Sequence, residues 1–169
     1  ACTKYLITGS TDKIIRIWDI ETGSLWHSIH SNQGIWSMTW WNDGKYLIEC
    51  GYSQPYQIHI RNWDYGSPNF GSIVTTFKDF SQAIRGLIVY PKTNQLLACS
   101  DDASIRLYDL NKQVFIRKFI GHKSDVFSIC KISDTVFAST GFDCTILFWN
   151  LNTGQSIFKV TTAHQDWIW

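Results

Sequence analysis

The sequence predicts an all-β fold, a β-propeller of four-stranded blades, and three observations lead there. A short strand ending recurs four times: Ile14-Ile15-Arg16-Ile17-Trp18-Asp19, Ile58-His59-Ile60-Arg61-Asn62-Trp63-Asp64, Ile105-Arg106-Leu107-Tyr108-Asp109 and Ile146-Leu147-Phe148-Trp149-Asn150. The closing acids or amides follow one another at 45, 45 and 41 residues, a period that marks one blade per repeat. Between them, apolar and polar residues alternate with period two in short runs punctuated by Gly, Asn and Asp. One repeat cannot bury its own apolar faces, so the blades must stack on one another around an axis.

In order, residues 1–30 read as a partial blade that lacks its first strand, with strands at 5–9, 14–18 and 24–29. Blade 31–78 has strands at 35–41, 46–50, 57–63 and 73–77, blade 79–120 at 83–90, 96–100, 104–108 and 114–119. Blade 121–162 has them at 126–130, 136–140, 145–149 and 156–160, the last after an Asn152-Thr153-Gly154 turn. Residues 163–169 open another blade. About four blades are thus present. Pairing the last strand with the first three would close a ring of four, while the expectation is that the chain is part of a larger ring.

Composition narrows the function classes. Lys plus Arg number 15 and Asp plus Glu 14, for a formal net charge of +1, so no global field favours phosphate backbones or anionic membranes. Cys2, Cys50, Cys99, Cys130 and Cys144 form no Cys-x-x-Cys pair. They read as reduced thiols filling strand positions, which favours a cytoplasmic or nuclear location. No apolar run approaches the ~20 residues of a membrane-spanning helix, so no membrane insertion is expected.

The fourth repeat carries Gly121-His122, Val126, Ala138-Ser139-Thr140-Gly141-Phe142-Asp143 and Trp149-Asn150, and on these residues the chain resembles the WD-repeat (transducin-β-like) family along its whole length. The resemblance implies a ring of about seven blades. It also implies a buried hydrogen-bonded chain of His122, Ser139, Asp143 and Trp149, with Thr8, Asp12 and Trp18 as the matching residues of the first repeat. Such groups need partners when buried, and a satisfied network fixes register. The third repeat departs, with Phe80 at the His position, Ala98 for the hydroxyl and Tyr108 for the Trp, leaving Asp102. The second has Ser31 at the His position, His30 one residue early, and a longer turn, 51–57, without the Asp. Those two repeats are expected to rest on apolar packing rather than a polar network.

The resemblance further implies a peptide-contacting face. Its positions carry over to Thr11, Gly34, Trp36, Ala83, Arg85, Asp101, Asp125, Phe127, Phe142, Trp167 and Trp169, a set whose Trp, Phe and Arg content suits an interface. Trp36, Arg85, Asp101, Phe127, Phe142, Trp167 and Trp169 are the candidate partner-binding residues, and the loop with Tyr52, Pro55 and Tyr56 is a second candidate. Trp40 and Trp41, adjacent on one strand, point to opposite faces, one expected in the core and one between blades.

Catalysis finds no support. Ser139, His122 and Asp143 resemble a nucleophilic triad in type only, since that chemistry needs an exposed hydroxyl beside an oxyanion hole. His27, His59 and His164 pair with no ligand set at metal-binding spacing, His164 reading as the structural His of the next blade, and 51–55 lacks the pattern of a phosphate loop. No catalytic residue, cofactor or metal is expected. The expected function is a non-enzymatic scaffold or peptide-recognition propeller inside a larger assembly, with protein or peptide partners. An RNA-associated subunit of a ribonucleoprotein complex and a ubiquitin-ligase substrate receptor are the alternatives, direct nucleic-acid contact being disfavoured by the near-neutral charge.

Overall fold

Alternating side chains and turn residues shape every element of the computed structural model, which describes residues 4–161 and 164–169. It contains fifteen strands: β1 (Tyr5–Gly9), β2 (Ile14–Asp19), β3 (Leu25–His30), β4 (Ile35–Trp41), β5 (Tyr46–Gly51), β6 (Ile58–Asn62), β7 (Ile73–Phe77), β8 (Ile84–Tyr90), β9 (Gln95–Ser100), β10 (Ser104–Asp109), β11 (Val114–Ile120), β12 (Val126–Lys131), β13 (Val136–Gly141), β14 (Ile146–Asn150) and β15 (Ser156–Val160). They form antiparallel meanders, a three-stranded sheet β1-β2-β3 and four-stranded sheets β4-β5-β6-β7, β8-β9-β10-β11 and β12-β13-β14-β15. Each four-stranded sheet is blade-like, its strands neighbours in chain order.

The chain divides into two compact units, Ala1–Asp79 and Phe80–Trp169. In the first, Ile15, Ile17, Ile35, Leu47 and Trp63 form the core, with Tyr5, Ile7, Ile29, Met38 and Phe70 packed against it. In the second, Leu97, Cys99, Ile105 and Leu107 of one sheet meet Val126, Phe137, Leu147 and Trp149 of the next. This face-to-face burial of apolar side chains is what a lone repeat lacks.

Register corrects the alignment of the second repeat. A five-residue turn closes the third strand onto the fourth where the Gly23 amide donates to the Asp19 carbonyl (2.8 Å) and the Gly154 amide to that of Asn150 (2.9 Å). The equivalent bond in the second sheet runs from Gly71 to Asn62 (2.8 Å), so Asn62, not Asp64, matches Asp19 and Asn150. Gly71 has φ +77°, the left-handed conformation that glycine adopts without penalty. Trp63 therefore lies one position past the strand and fills the core place that Leu110 and Leu151 fill elsewhere, each donating its amide to a matching carbonyl, that of Lys45, Asn94 or Thr135 (2.8 Å).

Two smaller expectations fail. Neither Trp40 nor Trp41 enters the core: Trp40 is exposed and edge-on to Trp63 at 5.8 Å, and Trp41 stacks on Tyr46 at 4.8 Å. Among the cysteines, Cys50, Cys99 and Cys130 occupy strands as thiols, but Cys144 sits in a turn at φ 56°. Cys2 lies outside the described residues.

Candidate interaction site

The polar interior of each sheet positions the turn that carries the site. In the fourth sheet the Trp149 indole N–H donates to Ser139 Oγ (2.7 Å), Ser139 Oγ lies 2.7 Å from His122 Nε2, and His122 Nδ1 lies 3.0 Å from Asp143 Oδ1. One donor pattern satisfies all four groups: Trp149 to Ser139, the Ser139 hydroxyl to Nε2, and Nδ1–H to the carboxylate. That pattern needs a neutral imidazole, and burial, outweighing Asp143, does lower the His122 pKa. Burial alone would raise Asp143, but the Lys123 amide, the Thr145 hydroxyl and His122 together bring it below the ordinary carboxylate value. Ser139 is 1% exposed and committed on both sides, so it offers no nucleophile. In the first sheet Trp18 Nε1 donates to Thr8 Oγ1 (2.9 Å), and Asp12 holds Arg16 (2.7 Å) and the Ile14 amide (3.1 Å).

The second and third sheets carry polar networks of their own, against the expectation of apolar packing alone. By register, Glu49 and Arg61 stand where Ser139 and Trp149 stand. Arg61 Nε and Nη2 both reach Glu49 Oε1 at 2.7 Å, Ser31 Oγ donates to the same oxygen at 3.1 Å, Nη1 donates to the Gly71 carbonyl (2.9 Å), and Nη2 also donates to that of His30 (3.3 Å). Burial pushes the Glu49 carboxyl up, with Arg61 and Ser31 pulling it back. Gln33 replaces the missing turn Asp: its side-chain amide donates to the Gln57 carbonyl (2.6 Å) and accepts from the Gln57 amide (2.9 Å). His59 bridges Asn32 (2.8 Å) and Thr76 (3.1 Å). Burial first, then Arg61 and Lys78, lowers its pKa to about 4, so it is a neutral structural group.

In the third sheet the substituted Phe80 presents a π face, and the Arg106 guanidinium lies 4.1 Å from its centroid while donating to Asp102 (2.9 Å). Ser104 bonds the same carboxylate through its amide (3.1 Å) and hydroxyl. Removing the imidazole thus leaves room for a cation between ring and acid.

The first strand of every four-stranded sheet has its register broken at one place, between Ile35 and Ser37, Ile84 and Gly86, and Val126 and Ser128. The residues left out of the ladder are Trp36, Arg85 and Phe127. A bulge re-aims its side chain, and each of these meets the residue that opens the turn between the second and third strands. Trp36 stacks on Tyr52 at 5.1 Å, Arg85 holds Asp101 through two bonds of 2.7 and 2.9 Å, and Phe127 meets Phe142 edge-on at 6.3 Å. Matching backbone bonds fix the turn: Tyr52, Asp101 and Phe142 amides donate to the carbonyls of Gly34 (3.2 Å), Ala83 (2.9 Å) and Asp125 (2.9 Å). The approach is so close that a Cβ on Gly51 would meet the Gly34 carbonyl oxygen at 1.5 Å and one on Gly141 that of Asp125 at 2.0 Å.

Six of the seven candidate contacts, all in the second unit, thereby gather into one cluster. The Arg85 guanidinium lies 4.8 Å from the Phe127 centroid, and Phe127 stacks on Trp169 at 4.5 Å with 10° between planes. Phe142 stacks on Trp167 at 4.7 Å, and Trp167 meets Trp169 edge-on at 6.2 Å. The Ile168 amide donates to the Gly141 carbonyl (3.2 Å), just as Ile35 donates to Ser10 (3.0 Å) in the first unit. Trp169 is 73% exposed, Trp167 47% and Phe142 41%. Trp36 belongs to the first unit, where Tyr52 is its partner. Tyr52, expected above only as part of the second candidate loop, takes the place of Asp101 and Phe142 that the pattern left blank for want of the turn Asp. Its signal was its place directly after Gly51, as Phe142 follows Gly141.

Among the described residues no three His, Cys, Asp or Glu side chains converge on a metal site, and no helix is long and apolar enough to cross a membrane. The chain is 27% identical over 92% of its length to Protein groucho of Drosophila melanogaster, covering 21% of that protein. It is 26% identical over 94% to the transcriptional corepressor LEUNIG_HOMOLOG of Arabidopsis thaliana, covering 19%, and 28% identical over 95% to the anaphase-promoting complex subunit cdc20 of Dictyostelium discoideum, covering 32%. The chain therefore spans a third or less of each of these relatives. The family described as WD domain, G-beta repeat matches residues 1–19, 71–109 and 113–150, more than half the chain, and passes over most of the second sheet, where Glu49 and Arg61 replace the hydroxyl and the tryptophan. With its propeller blades, its His-Ser-Trp chain and these matches, the chain belongs to the WD-repeat family.

Proposed function

We propose that this chain is a non-catalytic recognition module that presents a preorganised face to protein or peptide partners within a multiprotein assembly, in the cytoplasm or nucleus. The observation that carries this reading is the repeated bulge, which turns Trp36, Arg85 and Phe127 out of their ladders at the same place in three sheets. In the second unit the exposed rings of Phe142, Trp167 and Trp169 lie against Phe127 or one another, and aromatic side chains are where interface binding energy concentrates. Their backbones are already fixed, which lowers the ordering cost of association. Two relatives are by name a corepressor and a subunit of a complex, which supports membership of an assembly.

The test is alanine at Phe142, Trp167 or Trp169 of the second unit, each expected to weaken a captured protein partner by about 1–3 kcal/mol while thermal unfolding stays put. If partner binding were unchanged in all three, this face would not be the interaction surface.

A further inference from the structure

The cluster of the second unit has a chemistry that narrows its partner. Its one inward cation, Arg85, is held by both carboxylate oxygens of Asp101 and lies against Phe127, so it is not available to an acidic partner. Two acidic residues are bonded to the residues that carry the exposed rings. Asp125 supplies the carbonyl that anchors Phe142, and Asp166 accepts the Trp167 amide through Oδ1 (2.8 Å). Neither meets a cation in any ion pair among the described residues, and Lys123, on the same connection as Asp125, is paired with neither. An apolar partner laid over this patch would take water from two carboxylates and return nothing. A cation would neutralise them and rest on the electron-rich faces of the indoles. Phe127 already carries a guanidinium in this way, so the stack Arg85, Phe127, Trp169 has a cation at one end and an open indole at the other.

We infer that the open end of this stack takes a cationic side chain, arginine or lysine, of an extended partner peptide, lying on Trp169 and Trp167 and paired with Asp125 or Asp166. This rests on the recognition role proposed above for the same face.

The experiment compares three capped peptides, acetyl-Gly-Leu-Xaa-Leu-Gly-amide with Xaa as arginine, citrulline or glutamate. Citrulline keeps the size and planarity of arginine and removes only its charge. Binding to the chain is followed through the indole N–H signals of Trp167 and Trp169, assigned with Trp→Phe variants. The arginine peptide is expected to shift both signals and to bind about fivefold more tightly than the citrulline peptide, with glutamate weakest. The preference should fall below about twofold in Asp125→Asn/Asp166→Asn. Equal binding of the arginine and citrulline peptides, or a preference that survives the double substitution, overturns the cationic partner and leaves the recognition face standing. If no peptide moves either indole signal, the face is not a peptide site and both readings fall.

Discussion

The second and fourth sheets solve one problem with different chemistry. At matching positions the fourth uses His122, Ser139 and Trp149, a chain of neutral hydrogen bonds, whereas the second uses Ser31, Glu49 and Arg61, a buried ion pair. The neutral chain leaves few lone pairs unanswered. The ion pair leaves Glu49 Oε2 without a partner among the described residues. In both sheets a connected polar path runs from the entry loop to the third strand, and the residue types on it have changed together.

Breaking the ion pair is the harshest way to test that. Arg61→Ala strands a carboxylate that is 0% exposed and should cost about 3–5 kcal/mol in urea unfolding, whereas Glu49→Leu/Arg61→Met, which removes both charges, should be near neutral or stabilising. A double variant as damaged as the single one would mean that the charges themselves are needed. Ser139→Ala in the fourth sheet strands two neutral groups, the Trp149 N–H and His122 Nε2, and should cost about 2–4 kcal/mol. A loss equal to or larger than that of Arg61→Ala would reverse the ranking of the two designs.

Acid sharpens the contrast through His59. Its folded pKa of about 4 lies below the ordinary histidine value of about 6.5, so the unfolded chain takes up the proton first as pH falls. The stability linked to a neutral His59 is complete above about 6.5 and is lost progressively toward pH 4, by roughly 2–3 kcal/mol at the lower end. His122, also lowered by burial, adds loss of the same sign. Glu49 acts oppositely, since a raised carboxyl favours the folded state as it protonates. His59→Gln, which keeps bonding capacity toward Asn32 and Thr76, should flatten the acid slope. An unchanged slope would assign the acid sensitivity elsewhere.

The repeat architecture was legible because period and alternation survive substitution. The fourth sheet was legible in detail because Gly121-His122, Ser139, Asp143 and Trp149 keep the family's residue types. The second was not, for two physical reasons. Its loop 51–57 and the connection closing Asn62 onto Gly71 are both lengthened, and Trp63-Asp64 supplies the right letters just past the strand, so the spacing looked regular while the register was displaced. Glu49 and Arg61 also read as ordinary polar strand residues, because a buried pair separated by twelve positions announces itself only when both ends are seen to be buried. The third sheet hid its network similarly, in an Arg106 that needs the Phe80 ring to explain it. The positions proposed for the contact face follow one by one from the resemblance, but the bulge at Trp36, Arg85 and Phe127 leaves no composition signal.

The smallest effect isolates what the buried chain adds. Thr8 and Trp18 in the first sheet repeat the Ser139–Trp149 bond at 2.9 Å, and Trp18 is only partly buried. Thr8→Ala leaves an indole N–H within reach of water, so the loss is the net value of one hydrogen bond, about 0.5–1.5 kcal/mol, without the added cost of a stranded group. Urea titrations of Thr8→Ala and Ser139→Ala side by side measure that added cost as a difference. Equal losses would place the value of the motif in the hydroxyl–indole bond alone; a smaller loss for Thr8→Ala places it in enclosure, which is what the sheets with ion pairs and guanidinium stacks also provide.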